Sequence, residues 1–199
     1  MQYIKGIGAF IVKTDETHNR EIKKDNGETY KGLDGKELIL SPIFDDYENQ
    51  KDRAEVVASI PNSKVPIGAT LFFSKQILRV HKYGTNYHLG EGYYYVPYST
   101  SGRFDHHQLT YGYEYKGEVK PFKDWVFVTP IKETKVNNST IYTLEDDTFV
   151  EGKATVGYSP TKDLVKGDIV YFKKGLENPL YIQDKLHYVI FLDDILAKS

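Results

Sequence analysis

The chain is predicted to be all-β, built as two similar small barrels in tandem. Three observations carry this expectation. The chain holds 17 Tyr and 10 Phe with many Val and Ile, residue types that suit a pleated, half-buried surface. No stretch sustains the 3.6-residue apolar period of a helix. Four strand-like landmarks recur in the same order in the two halves, and ordered recurrence is a stronger sign of duplication than any single match.

The landmarks run as follows. An opening strand, Ala9-Phe10-Ile11-Val12-Lys13, is matched by Trp125-Val126-Phe127-Val128-Thr129. After a long polar loop comes Arg53-Ala54-Glu55-Val56-Val57-Ala58-Ser59, matched by Glu151-Gly152-Lys153-Ala154-Thr155-Val156-Gly157. A glycine turn then enters a strand, from Ile67-Gly68 to Phe73 in the first half and from Lys166-Gly167 to Phe172 in the second. A late strand follows, Tyr93-Tyr94-Tyr95-Val96 against His187-Tyr188-Val189-Ile190. Short connections at 60–64 and 159–162 carry the Pro, Asn and Ser of tight turns. The expected division is a diverged first barrel over 1–104 with a long loop at 14–52, a linker or extra hairpin at 105–118, and a second barrel over 119–199. Each half is just large enough to bury a core, at roughly 80–100 residues.

Bulk properties bound the function. With 26 basic and 28 acidic residues and a net charge of −2, a general electrostatic grip on nucleic acid is disfavoured. The absence of cysteine removes disulfides and thiolate metal sites. No apolar run approaches the ~20 residues of a helical membrane span, and the opening residues lack a signal-peptide layout. A cytoplasmic protein is therefore expected.

The second half resembles the GroES-type co-chaperonins, the ring-forming lids of chaperonin cages. The resemblance runs through Lys120-Pro121-Phe122-Lys123-Asp124 before an alternating strand, then Gly152, Val165-Lys166-Gly167-Asp168, and the closing Asp194-Ile195-Leu196-Ala197. The first half is more diverged. Lys5 and Gly8 stand where the opening Pro and Asp would be, Gly68-Ala69 replaces Gly-Asp, and 99–104 replaces the closing motif. Tandem copies are similar to the double co-chaperonins of chloroplasts, and the short connections to the open-roofed co-chaperonins of phages. Met1 without a targeting segment before it favours a phage or bacterial source.

What the resemblance implies is a protein that caps a chaperonin and assists folding. It would form a homo-oligomeric ring and need no cofactor, metal or catalytic residue of its own. The family's mobile loop follows the first strand and carries an apolar tip. Here residues 14–37 are almost wholly polar, and Leu38-Ile39-Leu40 supplies three bulky aliphatics, which are either the chaperonin-binding tip or a strand of this protein's own core. In the second half the candidate tip is Ile141, Tyr142 and Leu144, with Thr143 a poor third aliphatic, so that a plain strand is the stronger reading there. Asp194, Ile195, Leu196 and Ala197 are the expected subunit contact.

Other chemistry is poorly supported. No phosphate-binding loop, dinucleotide turn, nucleophile elbow or His-Glu-x-x-His occurs. His106-His107 are adjacent and face opposite ways on a strand; a metal site with His81 and His88 is less expected than solvated histidines. Asp45-Asp46, Asp146-Asp147 and Asp193-Asp194 read as solvated turns rather than an acid and base pair. Two rival functions remain: a structural assembly protein, for instance of a virion, and a β-module whose tyrosines stack carbohydrate or nucleic acid.

Overall fold

The computed structural model describes residues 8–14, 51–61, 63–78, 87–98, 109–133 and 149–199. The chain divides into two compact units with the boundary between Lys123 and Asp124. Both are built from antiparallel strands, as the β-branched and aromatic composition requires, and among the described residues there is no α-helix.

The first unit contains β1 (Ala9–Lys13), β2 (Arg53–Ala58), β3 (Thr70–Phe73), β4 (His88–Gly90), β5 (Tyr93–Pro97), β6 (Thr110–Tyr115) and β7 (Glu118–Pro121). They form one sheet in the order β4-β5-β1-β2-β3-β6-β7. Alternation on β1 and β2 buries Phe10, Val12, Ala54 and Val56. Leu71, Phe73, Val96 and a short 3-10 turn with Ile77 join them in one core. Each side chain of this kind contributes about 1.5–3 kcal/mol when fully buried.

The second unit contains β8 (Trp125–Lys132), β9 (Phe149–Tyr158), β10 (Ile169–Phe172), β11 (Asn178–Ile182), β12 (Lys185–Phe191) and β13 (Ile195–Lys198). Their order is β11-β12-β8-β9-β10-β13. β8 lies inside the sheet, and its run Trp125-Val126-Phe127-Val128 is buried on both faces. Val126, Val128, Ala154, Val156, Val170, Phe172 and Ile190 form the core on one side.

The two sheets share one plan. The first five strands of each unit fall in the same spatial order, and the four recurring landmarks are β1/β8, β2/β9, β3/β10 and β5/β12. Register makes the match residue by residue. Phe10 pairs with Val96 as Val126 pairs with Ile190, and Val12 pairs with Tyr94 as Val128 pairs with Tyr188. A bulge falls between Ile11 and Val12 against β2, and between Phe127 and Val128 against β9. Below the bulge Val12 faces Val56 and Val128 faces Val156. The entry to the third strand is the same turn in both. The N–H of Gly68 donates to the Val56 carbonyl at 2.8 Å, and that of Gly167 to the Val156 carbonyl at 2.9 Å. Both glycines have positive φ, +82° and +99°, a conformation that costs other residues about 1–2 kcal/mol.

Two features bear on the division. Of the two readings of 105–118, linker or extra hairpin, residues 110–121 show the hairpin, β6–β7, on the edge of the first sheet. Its Lys116-Gly117 turn has positive φ at both positions, which matches the twist of the strands it joins. The second compact unit begins at Asp124; Val119 is buried and Phe122 packs against the first core. The Phe122 ring lies 5.9 Å from Phe10 and 4.8 Å from Tyr98. The Lys120–Asp124 motif is therefore divided between the units.

Candidate interaction edge

The four residues Asp194, Ile195, Leu196 and Ala197 lie together at one edge of the second sheet. A 3-10 turn at Leu192–Asp194 delivers the chain into β13. β13 pairs with β10 so that Phe172 faces Ile195 and Tyr171 faces Ala197, with a bulge between the two pairs. Ile195 packs against the core. Leu196, in the bulge, is 65 % exposed.

Charged side chains pin this edge in place. Lys173 Nζ meets Asp194 Oδ1 at 2.7 Å, and the Lys173 N–H donates to the Asp194 carbonyl at 3.3 Å. Lys198 Nζ reaches Asp168 Oδ2 at 3.3 Å and also donates to the Asp163 carbonyl. Asp168 in turn accepts from the Val165 N–H at 2.9 Å. That bond, with Lys198, holds the Asp168 carboxyl below its ordinary range. The Gly167-Asp168 pair thus ties the turn before β10 to the last strand. These ion pairs are exposed, so they orient more than they stabilise.

Beside the edge lies a residue that sequence reading passed over. Tyr171 points outward, is 39 % exposed, and carries Lys153 Nζ at 5.3 Å from its ring centroid. Its counterpart in the first unit is Phe72, with Arg53 stacked at 5.5 Å. Phe72 is fully buried. The signal was present in Ile169-Val170-Tyr171-Phe172, where the third residue of an alternating strand must face away from the core.

The other candidate residues, Leu38, Ile39, Leu40, Ile141, Tyr142 and Leu144, lie outside the described residues, as do His81, His106 and His107. His88 stands beside Tyr94, with ring centroids 4.9 Å apart. Among the described residues no three His, Cys, Asp or Glu side chains gather as a metal site.

A hollow lined by Phe149, Val150, Glu151, Gly175, Glu177 and Tyr188 opens on the second unit. Its two carboxylates are already engaged. Glu151 pairs with Lys174 at 3.1 Å, and Glu177 accepts from the Gly152 N–H at 3.3 Å. Burial, then the charge of Glu177, raises the Tyr188 phenol above its usual range, so it remains protonated at neutral pH.

His187 is the one buried titratable ring of the described second unit. Its Nδ1 lies 2.9 Å from the Lys185 carbonyl, which fixes Nδ1 as the donor and leaves Nε2 as the acceptor. The ring stacks near Tyr158 at 5.6 Å and fills the space over Gly157. Burial pushes its pKa down, with the Lys185 and Lys166 charges adding to the effect. Its arrangement is that of a packed core histidine.

No protein-family model matches the chain, and no curated protein matches it in sequence.

Proposed function

We propose that this chain is a co-chaperonin-like lid: two GroES-like small barrels in tandem that cap a chaperonin and assist folding by adhesion alone. The supporting observation is the position of the long connections. In both units the chain leaves the opening strand and returns to the second strand only after a long segment, between Lys13 and Arg53 and between Lys132 and Phe149. In a co-chaperonin this is where the partner-binding loop sits. Leu38-Ile39-Leu40 falls in the first of these segments and Ile141, Tyr142 and Leu144 in the second.

The physics of such a loop suits a reversible lid. Ordering a polar segment costs entropy, so each tip binds modestly. Several tips on one oligomer recover avidity through effective concentration. Three aliphatics supply about 1.5–3 kcal/mol each when buried in a groove. The lid itself carries out no bond chemistry and needs no cofactor; ATP turnover belongs to the chaperonin. The partners are the chaperonin and further copies of this chain, in the cytoplasm of a bacterium or of a phage-infected host.

The test is to mix the protein with a chaperonin and ATP, then follow co-migration and the refolding of a strict client. Wild type is expected to co-migrate and raise the refolding yield. The Leu38→Ser, Ile39→Ser, Leu40→Ser variant is expected to keep its fold and lose at least tenfold in affinity. Failure of wild type to bind any chaperonin sinks the reading. The rival, a virion assembly protein, draws on the added hairpin β6–β7, which sets the first unit apart from the second. Recovery of the chain in purified particles rather than with chaperonin favours that rival.

A further inference from the structure

The hollow on the second unit combines aromatic walls with negative charge. Its volume is about 250 Å³, several times the share of one water molecule, about 30 Å³. Phe149 at the start of β9 and Tyr188 on β12 stand nearly at right angles, with ring centroids 6.5 Å apart. Glu151 and Glu177 complete the wall, with Gly175 in the turn between β10 and β11. A Cβ on Gly175 would meet nothing within 4 Å, so that side of the hollow is open.

The polar groups around the hollow are positioned but not saturated. The Gly152 N–H donates to Glu177 Oε1 at 3.3 Å, which anchors that carboxylate to the backbone of β9. Glu151 Oε2 meets Lys174 Nζ at 3.1 Å. Among the described residues the second oxygen of each carboxylate accepts no hydrogen bond, and the Tyr188 hydroxyl makes none. The phenol stays protonated beside the Glu177 charge, so it can donate as well as accept. Two carboxylates and one ammonium leave a net negative charge at the mouth. The first unit differs at the equivalent place. Tyr94 pairs with Val12 as Tyr188 pairs with Val128. Tyr94 is buried, with the His88 ring at 4.9 Å, whereas Tyr188 is only partly buried and lines the hollow.

We propose that this hollow binds the guanidinium head of an alkylguanidine, supplied by an arginine side chain or by a small molecule of the same chemistry. A planar guanidinium stacks on an aromatic face, forks onto a carboxylate and is less strongly hydrated than an ammonium. Beside Phe149 and Tyr188 it gains a cation–π contact. Its five donors can be shared among the open oxygens of Glu177 and Glu151 and the Tyr188 hydroxyl. Its single positive charge offsets the net negative charge of the mouth. An alkylammonium fits less well. Lys174 already offers one to Glu151, yet its side chain remains 71 % exposed, so the hollow does not draw that ammonium in.

The hollow lies wholly within the second unit and is independent of chaperonin binding, so the test contains no chaperonin. The full chain, isotopically labelled, is titrated with n-butylguanidinium while the Gly152 and Gly175 amide signals are followed by NMR. n-Butylammonium, with the same stem and charge, is the comparison, and sodium chloride at matched concentration controls for ionic strength. The expected result is a saturable shift of both signals in the millimolar range, at least fivefold tighter for the guanidinium than for the ammonium. Glu177→Gln keeps an oxygen that can accept from Gly152 and should weaken binding at least tenfold. Tyr188→Phe should weaken it at least threefold. N-acetyl-arginine methylamide separates the two sources. Binding as tight as that of n-butylguanidinium assigns the hollow to an arginine of a polypeptide, and binding tenfold weaker assigns it to a free small molecule. No saturable shift at tens-of-millimolar ligand overturns the proposal. So does equal binding of the two cations, or an unchanged affinity in either variant.

Discussion

At the scale of single residues, the second sheet is sensitive where backbone and ring approach closely. A Cβ on Gly157 would lie 3.2 Å from His187 Cδ2 and from the Phe127 carbonyl oxygen. The carbonyl belongs to a central strand and cannot yield. Gly157→Ala is therefore expected to cost about 1–3 kcal/mol, in the range of overpacked cores, read as a lower urea midpoint. His187 adds a pH dependence of definite sign. Its folded-state pKa is held below the ordinary value of 6.5 by burial. The folded protein then binds fewer protons than the unfolded chain just below that value. Its contribution is complete above about pH 6.5 and declines as pH falls towards the folded pKa. The urea midpoint should drop between pH 7.5 and 5.5, and drop less in His187→Gln. Asp168 acts in a lower window: its depressed pKa gives stability that is lost only as pH falls below the usual carboxylate range.

At the scale of elements, equivalent turns should respond equally. Gly68 and Gly167 both have positive φ, and neither would place a Cβ against a neighbour. Gly68→Ala and Gly167→Ala should thus each cost only the backbone term, about 1–2 kcal/mol, in unfolding curves of the two units. Gly152 is different. It too has positive φ, but a Cβ there would lie 3.0 Å from the Phe172 carbonyl oxygen, so Gly152→Ala should cost more than either. The strands legible in the sequence were those whose apolar runs recur in order in both halves: β1, β2, β3 and β5, with β8, β9, β10 and β12. β3 and β10 are also announced by a glycine turn. β11 was not legible, since Pro179 interrupts its pattern, which is tolerated because β11 lies at the edge of the sheet. Its Gln183-Asp184 turn has positive φ at both residues without the glycine that signals such a hairpin. The first-unit counterpart of β13 was not legible for a related reason. β6 is held by backbone register against β3 as β13 is against β10, and register leaves no mark when Leu109-Thr110-Tyr111-Gly112 matches Asp194-Ile195-Leu196-Ala197 at no position.

At the scale of the whole molecule, the strand plan that the two units share was legible and the junction between them was not. Order and spacing of four landmarks pointed to the matched strands β1/β8, β2/β9, β3/β10 and β5/β12. The boundary depended on Phe122, whose ring belongs to the first core although its motif opens the second copy. Among the candidate contacts, the edge residues Asp194 to Ala197 could be named from the closing motif. The outward position of Tyr171 was readable from strand alternation, whereas its contrast with the buried Phe72 came from the structure. On the proposed function, the chain would work by holding partners: further copies of itself through a sheet edge, and a chaperonin through its long connections. Native mass spectrometry of the protein with a chaperonin and ATP tests this most directly. The account predicts an oligomer of the chain seated on the chaperonin, dispersed by the Leu38→Ser, Ile39→Ser, Leu40→Ser variant. A chain that stays monomeric and unbound at tens-of-micromolar concentration would contradict it.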